Sequence, residues 1–146
     1  MASQISVDVY TVPPYPTSTG DPDPIKQLWS PTNVTLIHTA TSAMICDCPP
    51  TMAETEKLAA WIKRTIPGKK VVYFFATHAH ADHFYGFPVL ASHFPGIRPI
   101  ATQRVTEGAK KQYDMDIWEQ WWGDGQLPAE HVEFSPLPEG LSLIHI

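Results

Sequence analysis

The strongest constraint on this chain is an apolar run, Val71-Val72-Tyr73-Phe74-Phe75-Ala76, with Thr77-His78-Ala79-His80-Ala81-Asp82-His83 directly after it. A short apolar run without alternation is typical of a strand covered on both faces, inside a sheet rather than at its edge. Open α/β sheets build their sites just beyond the carboxyl ends of such strands. The polar cluster therefore stands where a fold of this kind does its chemistry.

The neighbouring segments agree with that class. Ile5, Val7 and Val9 alternate with polar residues and predict a first strand. Pro13, Pro14, Pro16, Pro22 and Pro24 then exclude helix and central strand, which predicts an extended connection across the surface. Val34 to His38 and Ala43 to Asp47 read as two strands joined through Thr39 to Ser42, and Pro49-Pro50 ends the second. Thr51 and Glu54 form a capping box ahead of Leu58, Trp61, Ile62 and Thr65, which share one helical face until Pro67-Gly68 stops the helix. After the motif come a short helix over Pro88 to Phe94 and a strand over Ile97 to Ala101. A helix from Thr102 to Tyr113 follows, with Val105, Ala109 and Tyr113 inward, and then a strand at Val132 to Phe134. Alternating strands and helices define an α/β fold.

A chain of 146 residues fits one domain, and 43% hydrophobic residues suffice for a packed core. The formal net charge of -5 argues against nucleic acid or an anionic membrane as the partner and leaves a small-molecule substrate as the expectation. Cys46 and Cys48 alternate on a predicted strand and should face the same side, and a disulfide across so short a span would be strained. They read as reduced, small apolar filler, which favours an intracellular setting. Met1 to Tyr15 carries no secretory pattern, and no stretch has the apolar length of a membrane span. A cytoplasmic protein is the expectation.

The motif places three histidines and an aspartate within six residues. Neutral imidazole and carboxylate are the usual non-thiol ligands of zinc, and they serve iron and manganese as well. An extended His78-x-His80 puts two imidazoles on one side of the backbone, converging on one ion. Asp82 and His83, one turn further on, address a second ion. A metal pair can hold a hydroxide and polarise the bond to be cleaved, with Asp82 also placed to orient the attacking water. A purely structural metal is the weaker reading, because structural sites are usually closed and rich in cysteine. An accidental cluster of surface histidines is weaker still.

Thr77 to His83 followed by Gly86 resembles the His-x-His-x-Asp-His motif of the metallo-β-lactamase superfamily, and the similarity extends over roughly Val34 to Ala101. The resemblance implies the first half of an αββα sandwich. It implies that His78 and His80 bind the first ion and that Asp82 and His83 bind the second. It further implies that Asp47 braces the metal loop from behind the ligands, with Thr77 beside it, and that Gly86 lets the next helix pack close. Two zinc ions are expected in the complete site, with iron or manganese as alternatives.

The family draws a third histidine, a bridging aspartate and a final histidine from the C-terminal half of its fold. Here only His93, His131 and His145 follow the motif. His93 reads as an ordinary helix residue, and His131 lacks the Gly-His-Thr or Gly-His-Ser setting of a ligand. The expectation is truncation: an N-terminal strand and proline-rich connection over 1–33, a partial domain over 34–140, and a non-native tail over 141–146. The tail, Leu141-Ser142-Leu143-Ile144-His145-Ile146, is what a transposon-end sequencing adapter encodes in one reading frame. Such a half-sandwich would expose sheet surface, so the chain as written is expected to be weakly active and poorly soluble.

Ile117, Trp118, Trp121 and Trp122 admit two readings: a lid or pocket wall over the metals, or a helix packed on the core, with at least one of the adjacent tryptophans partly exposed. The leading functional expectation is metal-dependent hydrolysis of an ester, lactone, thioester or lactam. The alternatives are a non-catalytic metal- or partner-binding relative and an iron-dependent sulfur dioxygenase. The acidic balance and the lack of a basic, aromatic-interleaved patch disfavour a nuclease.

Overall fold

A computed structural model describes residues 4–115, 117–123 and 125–137; the proposed tail at 141–146 lies outside the described residues. A six-stranded mixed sheet has the order β1-β4-β5-β6-β7-β8. Its strands are β1 (Ser6–Val12), β4 (Thr32–His38), β5 (Ser42–Cys46), β6 (Lys70–Phe75), β7 (Arg98–Thr102) and β8 (Ser135–Leu137). A second, two-stranded piece pairs β2 (Tyr15–Pro16) with β3 (Leu28–Trp29). The first three sheet strands are antiparallel, and β5 to β8 run parallel.

Parallel neighbours require crossovers, and the helices supply them: α1 (Met52–Thr65), α2 (Phe87–His93), α3 (Gln103–Tyr113) and α4 (Ile117–Trp122). Right-handed crossovers in one direction along the sheet stack these helices on a single face. Burial alternates accordingly. Val34, Leu36, Ala43, Ile45, Val71 and Phe74 are buried, together with Leu58, Ala59 and Ile62 of α1. Thr51 caps α1 by accepting from the Glu54 amide at 3.4 Å, the first half of the predicted capping box; the Glu54 side chain does not return the bond and accepts from Lys57 instead.

The opposite face of the sheet is only half covered. Ile5, Val7 and Val9 are each 58% exposed, so the apolar side of β1 points away from the helices. Tyr10, on the other side of β1, stacks on Trp61 with centroids 5.2 Å apart. On β6 the residues Val72, Tyr73 and Phe75 are only half-buried. The expectation of a strand covered on both faces is corrected here: the run is apolar on both sides, but among the described residues one side is buried and the other only half-buried. No helix among the described residues is long and apolar enough to cross a membrane.

Three further expectations are corrected. Val132 to Phe134 is not a strand; the ladder begins at Ser135, opposite Ile100. Val132 and Phe134 are buried instead, and the Val132 amide donates to the Tyr113 hydroxyl at 2.9 Å, so side-chain anchoring takes this backbone away from the sheet. Cys46 and Cys48 do not share a face. Asp47 between them adopts φ +66°, which breaks the alternation, leaving Cys46 half-buried on the sheet and Cys48 fully buried; both are free thiols. The proline-rich connection is not merely superficial, because it drives Tyr15 into the core at 4% exposure.

The aromatic segment follows the core-packing reading for Trp122, which is fully buried, while Trp121 beside it is half-buried. Trp29 packs edge-on against both, at 5.3 and 4.8 Å. Trp118 lines an open pocket of about 370 Å³ with Tyr85, Tyr113 and His131, but none of the motif residues lines it, so this is not a wall over the metal loop.

Candidate metal centre

The His-x-His-x-Asp-His loop leaves β6 at its carboxyl end and closes with a 3-10 turn over Ala81–His83. The three histidine rings gather there: His78 is 4.7 Å from His80 and 4.0 Å from His83, centroid to centroid. Asp47, His78 and His83 bring potential ligand atoms within 4.8 Å of one another. His80 is the most exposed of the three histidines. The Asp82 carboxylate lies 3.5 Å from His83 Nε2.

Asp47 holds this loop in place. Its Oδ1 accepts from the Thr77 amide at 2.8 Å, and its Oδ2 accepts from the Thr77 hydroxyl at 2.7 Å. Oδ2 also accepts from His83 Nδ1 at 3.1 Å. The Cys48 amide then donates to the His83 carbonyl at 2.9 Å. The left-handed backbone at Asp47 is uncommon outside glycine, and it turns the carboxylate back under the loop.

These bonds also fix the ring tautomers. The Thr77 hydroxyl has one proton, which goes to Asp47, so towards His78 Nδ1 at 2.9 Å it can only accept. His78 therefore carries its proton on Nδ1 and presents an unprotonated Nε2. His83 likewise donates from Nδ1 to Asp47 and, when neutral, presents Nε2. Histidine ligands are usually oriented in this way, with the remote N–H bonded to an acceptor. The donor set thus fits a divalent metal ion.

Electrostatics distinguish the rings. Burial, followed by the charge of His83, lowers the His78 pKa and favours the neutral, ligand form. Burial also pulls His83 down, but the hydrogen bond to Asp47 and the charges of Asp82 and Asp47 outweigh it and raise its pKa.

Gly86 sits where a Cβ would meet Thr55 Oγ1 at 2.1 Å and the Pro49 carbonyl at 2.2 Å. Any side chain there would push the loop away from the start of α1. Two further supports lie outside the residues that the motif singles out. A Cβ on Gly108 of α3 would lie 2.6 Å from the Ala79 methyl, and Gln112 Oε1 accepts from the Ala81 amide at 3.3 Å. A glycine inside a helix is the sequence signal of such a close approach; nothing in the sequence marks Gln112. His93 bonds Glu56 and Lys63 at the surface, and His131 stacks on Tyr113 at 3.8 Å, so neither joins the cluster.

Residues 28–136 match the family profile described as the metallo-beta-lactamase superfamily, and the chain belongs to that superfamily. Among solved structures it is similar to the mono-zinc form of the metallo-β-lactamase FIM-1 from Pseudomonas aeruginosa, at 20% identity and a TM-score of 0.55, over 73% of this chain and 42% of that one. It is also similar to a metallo-β-lactamase from Hirschia baltica, at 22% identity and a TM-score of 0.54, over 77% and 49% of the two chains. TMB-1 matches at 20% identity with a TM-score of 0.54, over 77% of this chain and 49% of its own. Identities this low establish the fold. The chain spans less than half the length of these structures. No curated protein matches it.

Proposed function

We propose that His78, His80, Asp82 and His83 hold one or two divalent metal ions, zinc first among them, and that the protein serves metal-dependent hydrolysis of a small molecule. The observation that carries this reading is the Asp47–Thr77–His78 chain of hydrogen bonds, which leaves His78 with an unprotonated Nε2. A bound divalent ion would supply Lewis acidity and an activated water. The chain's own residues do the rest: Asp47 fixes two rings, and Asp82, on the adjacent turn, orients a water or takes up a proton. Esters, lactones, thioesters and lactams all present the carbonyl this chemistry needs.

A non-catalytic, metal-binding role is the second reading. It is favoured by the ligand geometry, since among the described residues only Asp47, His78 and His83 converge closely. Elemental analysis of the purified chain and of a His78→Ala, His80→Ala double variant tests the metal site. Near-stoichiometric metal in the parent that vanishes in the variant is expected. Negligible metal in a folded parent chain would overturn the proposal. Turnover of a lactone and a β-lactam by the metal-loaded chain then separates the two readings.

A further inference from the structure

The tryptophan segment frames a cavity that the metal loop does not use. The cavity holds about 370 Å³, within the size range of small-molecule pockets, and no motif residue lines it. Its walls include Tyr85, Tyr113, Met115, Trp118, Glu119 and Leu127.

The aromatic rings around it are ordered. Tyr113 stacks on Tyr85, with centroids 4.6 Å apart and planes within 5°, and on His131 at 3.8 Å and 15°. Trp118 stands at 68° to Tyr85, 6.3 Å away, so the stack and the indole form two walls set at an angle. Trp122, fully buried, backs Trp118 by stacking on it at 5.6 Å.

Hydrogen bonds to the backbone hold three of these rings. The Tyr85 hydroxyl donates to the Gln112 carbonyl at 2.8 Å, and Trp118 Nε1 donates to the same oxygen at 3.1 Å. The Tyr113 hydroxyl accepts from the Val132 amide at 2.9 Å. An occupant therefore meets ring surface that is already oriented, and little binding energy is lost in ordering it.

Charge then selects the occupant. Glu119 is exposed, and its carboxylate has no salt-bridge partner among the described residues. No lysine or arginine is among the described lining residues. An anion would meet a carboxylate with no counter-charge beside it. A cation would meet that carboxylate and the negative faces of π systems, of which indole is the strongest. A hydrated inorganic ion has no apolar surface to lay on the rings, whereas an ammonium group carrying carbon has both parts.

We propose that this cavity is a second small-molecule site, one that takes an organic cation: an ammonium group bearing alkyl or aromatic carbon, held against Trp118 and Tyr85 with Glu119 as its counter-charge. The site is independent of the metal loop and of the hydrolytic reading.

The test uses the full chain in metal-free buffer at pH 8, with benzyltrimethylammonium as the probe and phenylacetate as its anionic counterpart. Tryptophan fluorescence and isothermal titration read binding. Saturable binding of the cation is expected, roughly tenfold tighter than that of phenylacetate. Trp118→Leu should weaken the cation roughly tenfold. Glu119→Gln alters only an exposed side chain and should melt as the parent does; it should weaken the cation about threefold and remove most of the salt dependence of binding. The His78→Ala, His80→Ala double variant should bind the cation as the parent does, which separates this site from the metal loop. Absence of saturable binding, equal affinity for the two probes, parent-like affinity in either pocket variant, or loss of binding in the histidine variant would overturn the proposal.

Discussion

At the scale of single residues, Asp47 has two separable duties. Its carboxylate accepts three hydrogen bonds that define the metal loop, and its backbone sits at φ +66°. Asp47→Gly keeps the turn and loses the carboxylate; Asp47→Asn keeps the shape and loses the charge. Removing the buried acceptor should cost on the order of 2–3 kcal/mol in the metal-free chain, read by denaturant unfolding. Asp47→Gly should also abolish metal uptake, and retained uptake would show that the clamp is dispensable.

The same carboxylate sets a pH signature. His83 has a raised pKa in the folded chain. Its attraction to Asp47 is fully present below the unfolded value of about 6.5 and is lost as pH rises through the folded value. His78 has a lowered pKa, so its contribution runs the other way: present above about 6.5 and lost as pH falls through the folded value. Ring proton shifts followed by NMR should show His83 titrating at higher pH than His78. In Asp47→Asn the order should narrow or reverse.

At the scale of elements, the loop is held between two helices. The start of α1 presses on Gly86, and α3 presses on Ala79 through Gly108. Substitution by alanine has opposite consequences for helix propensity and for the loop. Gly108→Ala should favour α3 by roughly 1 kcal/mol on propensity alone. The added methyl would displace Ala79, between the two leading histidines, so metal affinity should fall at least tenfold while the melting temperature holds or rises. Isothermal titration with zinc beside a thermal melt checks both; undiminished affinity would mean that α3 does not press on the loop. Gly86→Ala has no propensity gain to set against a 2.1 Å clash and should destabilise the chain outright.

At the scale of the whole molecule, the described residues pack on one face of the sheet and leave the β1 side of the other exposed. Ile5, Val7 and Val9 present an apolar strip on the edge strand β1, a surface prone to association. Val7→Lys with Val9→Lys should lower the fraction of aggregate in light scattering without altering the far-ultraviolet circular dichroism. An unchanged aggregate fraction would place the sticky surface elsewhere.

Local pattern alone determined much of this protein. The apolar run, the Thr51 cap, the glycine and proline stops, and the spacing of His78, His80, Asp82 and His83 follow from neighbours a few residues apart. They specify strand, loop and helix in order. The brace at Asp47 was legible only through family resemblance, and Gly86 likewise. What the tertiary structure decided lies between distant segments: that Asp47 turns through a left-handed backbone, that Cys46 and Cys48 part company, and that Gln112 and Gly108 press on the loop. It also decided that Tyr15 leaves a proline-rich stretch to enter the core, and that the apolar side of β1 faces outward. Periodicity tells a residue which side of its own element it occupies. It does not say which element, many residues away, will come to cover that side.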